Sequence, residues 1–209
     1  MDNPYFDTSI TLQMEPLLVE KQFIDAQQLL DDSFSLGLQI LESGYVPHFI
    51  IGVWRGGTPV GIAVQELLDY FGIETDHIAI RTSFYTALGE TSDKVKVHGL
   101  NHIIDNLRRA DSILIVDDVY DTGLSMQQIM NDIRQACADN LPEIRIATPY
   151  FKPSNNRTSK TPDYYLHKTD KWLVFPHELS GLSAQEILDK KPGISMLRSA
   201  LEKQRKKTN

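Results

Sequence analysis

Four aliphatic residues in a row, Ile113-Leu114-Ile115-Val116, run straight into two adjacent carboxylates, Asp117-Asp118, and then into Val119-Tyr120-Asp121-Thr122-Gly123-Leu124-Ser125. A short continuous apolar run of this kind fits a strand buried on both faces. Strands of that type sit inside parallel sheets covered by helices on either side. The segment therefore predicts an α/β chain in which strands and helices alternate.

The rest of the sequence supplies the alternation. Phe49 to Val53, His77 to Arg81, Ile144 to Thr148, Tyr164 to Leu166 and Trp172 to Phe175 read as further strands. Residues 20 to 43 read as a helix with Phe23, Ala26, Leu30, Phe34, Leu38 and Leu41 on one stripe. A second helix starts near Thr58-Pro59, with Thr58 as its cap, and runs to about Tyr70. A third covers roughly Leu100 to Arg109, and a fourth carries Met126, Ile129, Met130, Ile133 and Cys137 on one face. Residues 82 to 98 read as an exposed loop or ribbon. The expected fold is a mainly parallel, twisted sheet flanked by helices. The 209 residues form one domain: a core over 20–149, a small hood over about 150–180, and a C-terminal helix with a basic tail over 195–209.

Charge narrows the partners. The net charge is −7. The last twelve residues hold five basic side chains and one acidic, so the rest balances 16 basic against 27 acidic, or −11. An acidic body is a poor match for DNA phosphates. The start, MDNPYFDTSI, lacks the basic and apolar pattern of a leader, and no apolar run approaches the ~18 residues of a membrane helix. No membrane contact and a cytoplasmic location are expected. The single Cys137 excludes a disulfide framework within the chain.

The acidic motif carries chemistry. Ligands of open α/β sheets bind beyond the carboxyl ends of strands. Thr122, Gly123 and Ser125 open a helix there, whose free N–H groups and dipole suit a phosphate. Asp117 and Asp118 instead suit ribose hydroxyls or a hydrated divalent cation. The motif reads as a cradle for a sugar phosphate.

Here the sequence resembles the type I phosphoribosyltransferases, whose fingerprint is four apolar residues, two acids, two mostly apolar residues, then Asp-Thr-Gly and Ser or Thr. The resemblance runs from about Ile50 to Glu178. It implies that phosphoribosyl pyrophosphate (PRPP) binds along Arg55, Gly56, Asp117, Asp118, Asp121, Thr122, Gly123, Leu124 and Ser125. Gly52 to Gly57 looks like the family's pyrophosphate loop. Its spacing also brings a nucleotide-triphosphatase loop to mind, but Thr58 stands where that motif needs lysine.

Tyr150-Phe151-Lys152-Pro153 and Lys171 to Glu178 look like the purine branch. That likeness implies Lys152 against the 6-oxygen of a 6-oxopurine, Trp172 stacked on the ring, and Leu173 and Val174 reading the base edge. Asp121 would be the catalytic acceptor of the N7 proton. Asp117, Asp118 and Glu178 would sit near Mg2+. Ser83, Phe84 and Tyr85 would belong to a mobile lid. His177 stands where bacterial and archaeal members often carry Trp.

The implied activity is transfer of the phosphoribosyl group to hypoxanthine or guanine, with xanthine next, by a dimer or tetramer. A nucleotide-sensing regulator of the same fold, or an enzyme for another base, remains an alternative. Plainer readings also stand: Trp172 as core, Lys152 as a solvated loop lysine, Arg55 as a surface ion pair, Asp121 as a turn-former. His98 and His102 read as solvated or capping.

Overall fold

The computed structural model describes residues 20–85, 94–108, 110–137, 141–191 and 194–208. The elements run β1 (Lys21–Phe23), α1 (Ala26–Glu42), β2 (Phe49–Trp54), α2 (Gly57–Tyr70), β3 (Asp76–Tyr85), β4 (Lys94–His98), α3 (Asn101–Asn106), β5 (Ser112–Val116), β6 (Val119–Tyr120), α4 (Leu124–Cys137), β7 (Glu143–Phe151), β8 (Tyr164–Lys168), β9 (Trp172–Val174), α5 (Ala184–Lys190) and α6 (Arg198–Thr208). Short 3-10 turns cover Pro153–Asn155 and Ser195–Leu197.

The main sheet has the order β4-β3-β2-β5-β7-β6, with β8 also paired to β7. Only the β3–β4 pairing is antiparallel. β5 is buried along its whole length, and its alternation divides the interior. Leu114 and Val116 join a core with Leu36, Ile40, Val60 and Val64 of α1 and α2. Ile113 and Ile115 join the other, with Ile103 of α3 and Met126, Ile129 and Ile133 of α4. Each such aliphatic side chain contributes about 1.5–3 kcal/mol by leaving water. The α/β reading, with a mainly parallel sheet between helices, matches the structure.

Several local expectations change. Lys21–Phe23 is a strand, not the first turn of a helix, and it pairs in parallel with β9, Lys21 opposite Trp172. The helix begins after Asp25, whose carboxylate accepts the Gln28 N–H at 2.8 Å. The expected stripe on α1 points the wrong way. Ala26, Leu30, Phe34 and Leu38 are exposed, whereas Leu29, Ser33, Leu36, Gly37 and Ile40 are buried. The helix is apolar on two sides, and packing selects the side with small residues. A Cβ on Gly37 would stand 3.3 Å from Leu67 Cδ2, so α1 and α2 pack closest there.

Thr58 is not a cap. α2 already starts at Gly57 with Gly56 as its cap residue, and the Thr58 hydroxyl is buried. Residues 82–85 and 94–98 form a β-ribbon, while 86–93 of the expected lid lie outside the described residues. No helix among the described residues is long and apolar enough to cross a membrane.

Candidate functional site

The carboxyl ends of β2, β5, β6 and β7 converge on one cleft. The loop after β2 brings Arg55 and Gly56, the turn after β5 brings Asp117 to Ser125, and the end of β7 brings Lys152. Two glycines make this convergence possible. A Cβ on Gly56 would collide with the Asp118 carboxylate, and one on Gly57 with the Val116 carbonyl oxygen. The loop thus presses directly onto the acidic pair. The Trp54–Arg55 peptide at its start is cis, a feature no residue pattern announces.

Asp117 and Asp118 lie beneath this loop. Desolvation, and then the neighbouring Asp118 carboxylate, push the Asp117 carboxyl well above the usual range, partly offset by hydrogen bonds from the backbone N–H groups of Asp118 and Gly57. Asp118 is 8% exposed, and its Oδ2 lies 3.4 Å from His177 Nε2. The His177 ring stacks on Phe175, centroids 5.8 Å apart at an interplanar angle of 7°.

Gly123 sits at φ +77°, the left-handed region, where the chain turns into α4. A Cβ there would meet Tyr120 Oη at 2.5 Å and Thr158 Oγ1 at 2.8 Å. The Tyr120 hydroxyl itself bonds Thr158 Oγ1 at 3.0 Å and donates to the Lys160 carbonyl at 2.8 Å. The loop after β7 therefore buttresses the phosphate-type turn, and the Arg157 N–H donates to the Thr122 carbonyl at 3.0 Å. A cleft of about 240 Å³ opens in front, lined by Phe84, Asp117, Val119, Tyr120, Asp121, Thr122, Gly123, Ser125 and Met126.

Lys152 is not a solvated lysine. It is 9% exposed, and its Nζ lies 3.4 Å from Asp121 Oδ2. Asp121 Oδ1 accepts from Asn155 Nδ2 at 2.8 Å. Asn155 drew no attention in the sequence, because only the 3-10 turn after Pro153 brings it back over Asp121.

The remaining expected residues distribute unevenly. Trp172 is 57% exposed, which excludes the core reading, while Leu173 and Val174 are buried. All three lie on the small β1–β9 sheet and, like Arg55, Gly56, Asp118 and Lys152, are not among the residues lining the cleft. Glu178 turns back on its own loop, its Oε2 accepting the Phe175 N–H at 3.1 Å. No group of three or more His, Cys, Asp or Glu side chains is set to hold a metal among the described residues. On the ribbon, Phe84 faces the cleft, while Ser83 Oγ bonds His98 Nε2 at 3.2 Å. His98 thus serves the ribbon, and His102 pairs with Asp76 at 2.9 Å. Leu124 carries the N–H that donates to Thr122 Oγ1 at 3.4 Å.

The comparisons with known proteins converge. The model of the phosphoribosyl transferase domain matches residues 21–182. The chain is similar to a purine phosphoribosyltransferase from Pyrococcus horikoshii at 30% identity and a TM-score of 0.60, covering 78% of this chain and 97% of that one. It is also similar to a xanthine-guanine-hypoxanthine phosphoribosyltransferase from Helicobacter pylori, at 18% identity and a TM-score of 0.59, covering 75% and 92%. A Neisseria gonorrhoeae protein with bound ppGpp gives 17% identity and a TM-score of 0.64, covering 78% and 92%. The last two likenesses carry the fold alone. No curated protein sequence matches.

Proposed function

Because this chain belongs to the type I phosphoribosyltransferase family, in its purine branch, we propose that the cleft transfers the phosphoribosyl group of PRPP to a 6-oxopurine. Hypoxanthine or guanine is the first choice and xanthine the next. The bond from C1′ to the pyrophosphate oxygen breaks and a bond from C1′ to N9 of the base forms. The products are a nucleoside monophosphate and pyrophosphate.

The observation that carries this reading is the buried Lys152 placed beside Asp121, which lines the cleft. A lysine donates only, so it favours a 6-oxo group over the 6-amino group of adenine. A carboxylate beside it accepts the proton that leaves N7 as N9 becomes bonded. Thr122, Gly123 and Ser125 offer the 5′-phosphate the start of α4. Arg55 and Gly56 face the pyrophosphate, and Asp118 faces the ribose hydroxyls. Trp172, Leu173 and Val174 would frame the base from the small sheet, and Ser83, Phe84 and Tyr85 of the ribbon would cover the bound sugar.

Mg2+ belongs to this reading through donor chemistry. Two adjacent carboxylates, one of them held protonation-prone by desolvation, suit a hydrated divalent cation that neutralises them. Asp117 and Asp118 would hold it. Glu178 would join only by giving up the Phe175 N–H. When bound, the ion supplies charge compensation to the departing pyrophosphate. A homodimer or homotetramer in the cytoplasm completes the proposal.

Pyrophosphate release, with PRPP, Mg2+ and hypoxanthine, guanine, xanthine, adenine or uracil in parallel, tests it. Release with a 6-oxopurine and not with adenine is the expected result. PRPP binding without release for any base would favour a nucleotide sensor instead.

A further inference from the structure

We propose that Asn155 is a positioning residue for the transfer step, holding the Asp121 carboxylate in place while Lys152 changes partners. This rests on the phosphoribosyltransferase reading above. In the structure both Asp121 oxygens are engaged. Oδ1 accepts the short bond from Asn155 Nδ2, at 2.8 Å, and Oδ2 has only the longer contact to Lys152 Nζ, at 3.4 Å. Asp121 is otherwise poorly restrained, since 42% of its side chain is exposed.

Lys152 holds Oδ2 only at 3.4 Å, so an ammonium drawn to the base oxygen gives that carboxylate oxygen little restraint. When its ammonium turns to the 6-oxygen, Oδ2 is released toward N7, and the carboxylate would then be free to rotate. The Asn155 bond removes that freedom, so the lone pair that takes the proton keeps its direction.

Asn155 is itself fixed, although its side chain is exposed. Pro153 starts the 3-10 turn, and the Asn155 N–H donates to the Lys152 carbonyl at 3.2 Å. Ser154 bonds Asp170 through its N–H at 3.3 Å and its hydroxyl at 2.9 Å. The Lys152 N–H donates to the Tyr120 carbonyl at 2.9 Å, which ties the turn to the residue before Asp121. The turn thus carries both partners of the carboxylate, one per oxygen.

The test is a double-mutant cycle read by steady-state pyrophosphate release and by PRPP binding in calorimetry. Asn155→Ala is expected to lower kcat about tenfold, the scale of a hydrogen bond to a charged group. KM and Kd for PRPP should stay within about twofold, as for any group that acts on the proton transfer alone. Asn155→Gln keeps the amide and should recover part of the loss, while Asn155→Asp, which sets a second carboxylate against Asp121, should fall below Asn155→Ala. In an Asp121→Asn background, Asn155→Ala should change kcat by less than about twofold, because the side chain that Asn155 positions no longer takes a proton. An unchanged kcat in Asn155→Ala, or the same loss in both backgrounds, overturns the proposal and leaves the transferase reading standing. A wild-type protein inactive with every base overturns both.

Discussion

The Asp118 carboxylate lies 3.4 Å from the imidazole Nε2 of His177, and that imidazole is one member of an aromatic column. His177 stacks on Phe175, Phe175 meets Tyr150 edge-on at 5.7 Å, and the Tyr150 hydroxyl donates to Asp32 of α1 at 3.0 Å. The acidic pair is thereby tied, along the face of the sheet that α1 covers, to the first helix. His177→Ala removes the contact and is expected to raise KM for PRPP about three- to tenfold, the scale of one ordinary polar contact. His177→Asn, which keeps a donor, should lose less. Steady-state kinetics with varied PRPP checks both, and an unchanged KM in His177→Ala would reject the tie.

Asp117 gives a pH-dependent prediction. Its carboxyl is raised by desolvation and by Asp118, so the folded state binds a proton more tightly than the unfolded chain. Stability then falls as pH climbs from the ordinary carboxylate range through the raised value, where the desolvated carboxyl must ionise. Asp117→Asn should melt higher than wild type at pH 8, with the gap closing toward pH 4. The same variant should bind PRPP and Mg2+ more weakly. Calorimetric melting at the two pH values decides the first point, and a variant that melts lower at pH 8 contradicts it.

Gly123→Ala should be costly. The backbone is at φ +77°, and the added methyl meets Tyr120 Oη and Thr158 Oγ1. Positive φ in a non-glycine residue alone costs about 1–3 kcal/mol. A urea midpoint lowered accordingly, together with weakened PRPP binding, is the expected outcome. Adding Thr158→Ala relieves one of the collisions and should recover part of the loss. No recovery would place the cost in the backbone strain and the Tyr120 collision.

Lys152→Ala separates the two substrates. With its ammonium gone, use of a 6-oxopurine should weaken at least tenfold, while KM for PRPP changes much less. A uniform loss for both substrates would instead mark Lys152 as a support for Asp121. Comparison with Asn155→Ala then shows which oxygen of the carboxylate matters more.

What could be read from the residues follows a physical divide. The run Ile113 to Ser125 specifies its strand and its helix by local pattern, and the structure reproduces both, but it adds the two-residue β6, paired with β7, inside the expected turn. α1 defeated the same approach because apolar residues line two of its sides, and only the fit of Gly37 against Leu67 chooses between them. β1 was invisible for a related reason. Three residues carry too little periodicity, and their partner lies far away in sequence. At the site, Asp117 and Asp118 are legible because two adjacent carboxylates are unusual at a strand end, whereas Asp121 and Lys152 are legible only through the family resemblance. Asn155 is not legible, since an asparagine near a proline reads as an ordinary turn. Trp172 shows the limit of residue identity: its type suggested stacking or core, and the structure leaves it half in solvent on the small sheet.

The parallel pairing of Lys21 with Trp172 also bears on synthesis. β1 is synthesised 151 positions ahead of its partner. During most of elongation β1 carries open edge groups, and contacts of such separation form slowly even in the finished chain. The turn with His177 follows β9 directly, so it too is placed only when that late pairing closes. A nascent chain halted after α4 would hold the acidic motif without the residues that face it, and ligand binding should arise abruptly as β9 and the turn after it leave the ribosome.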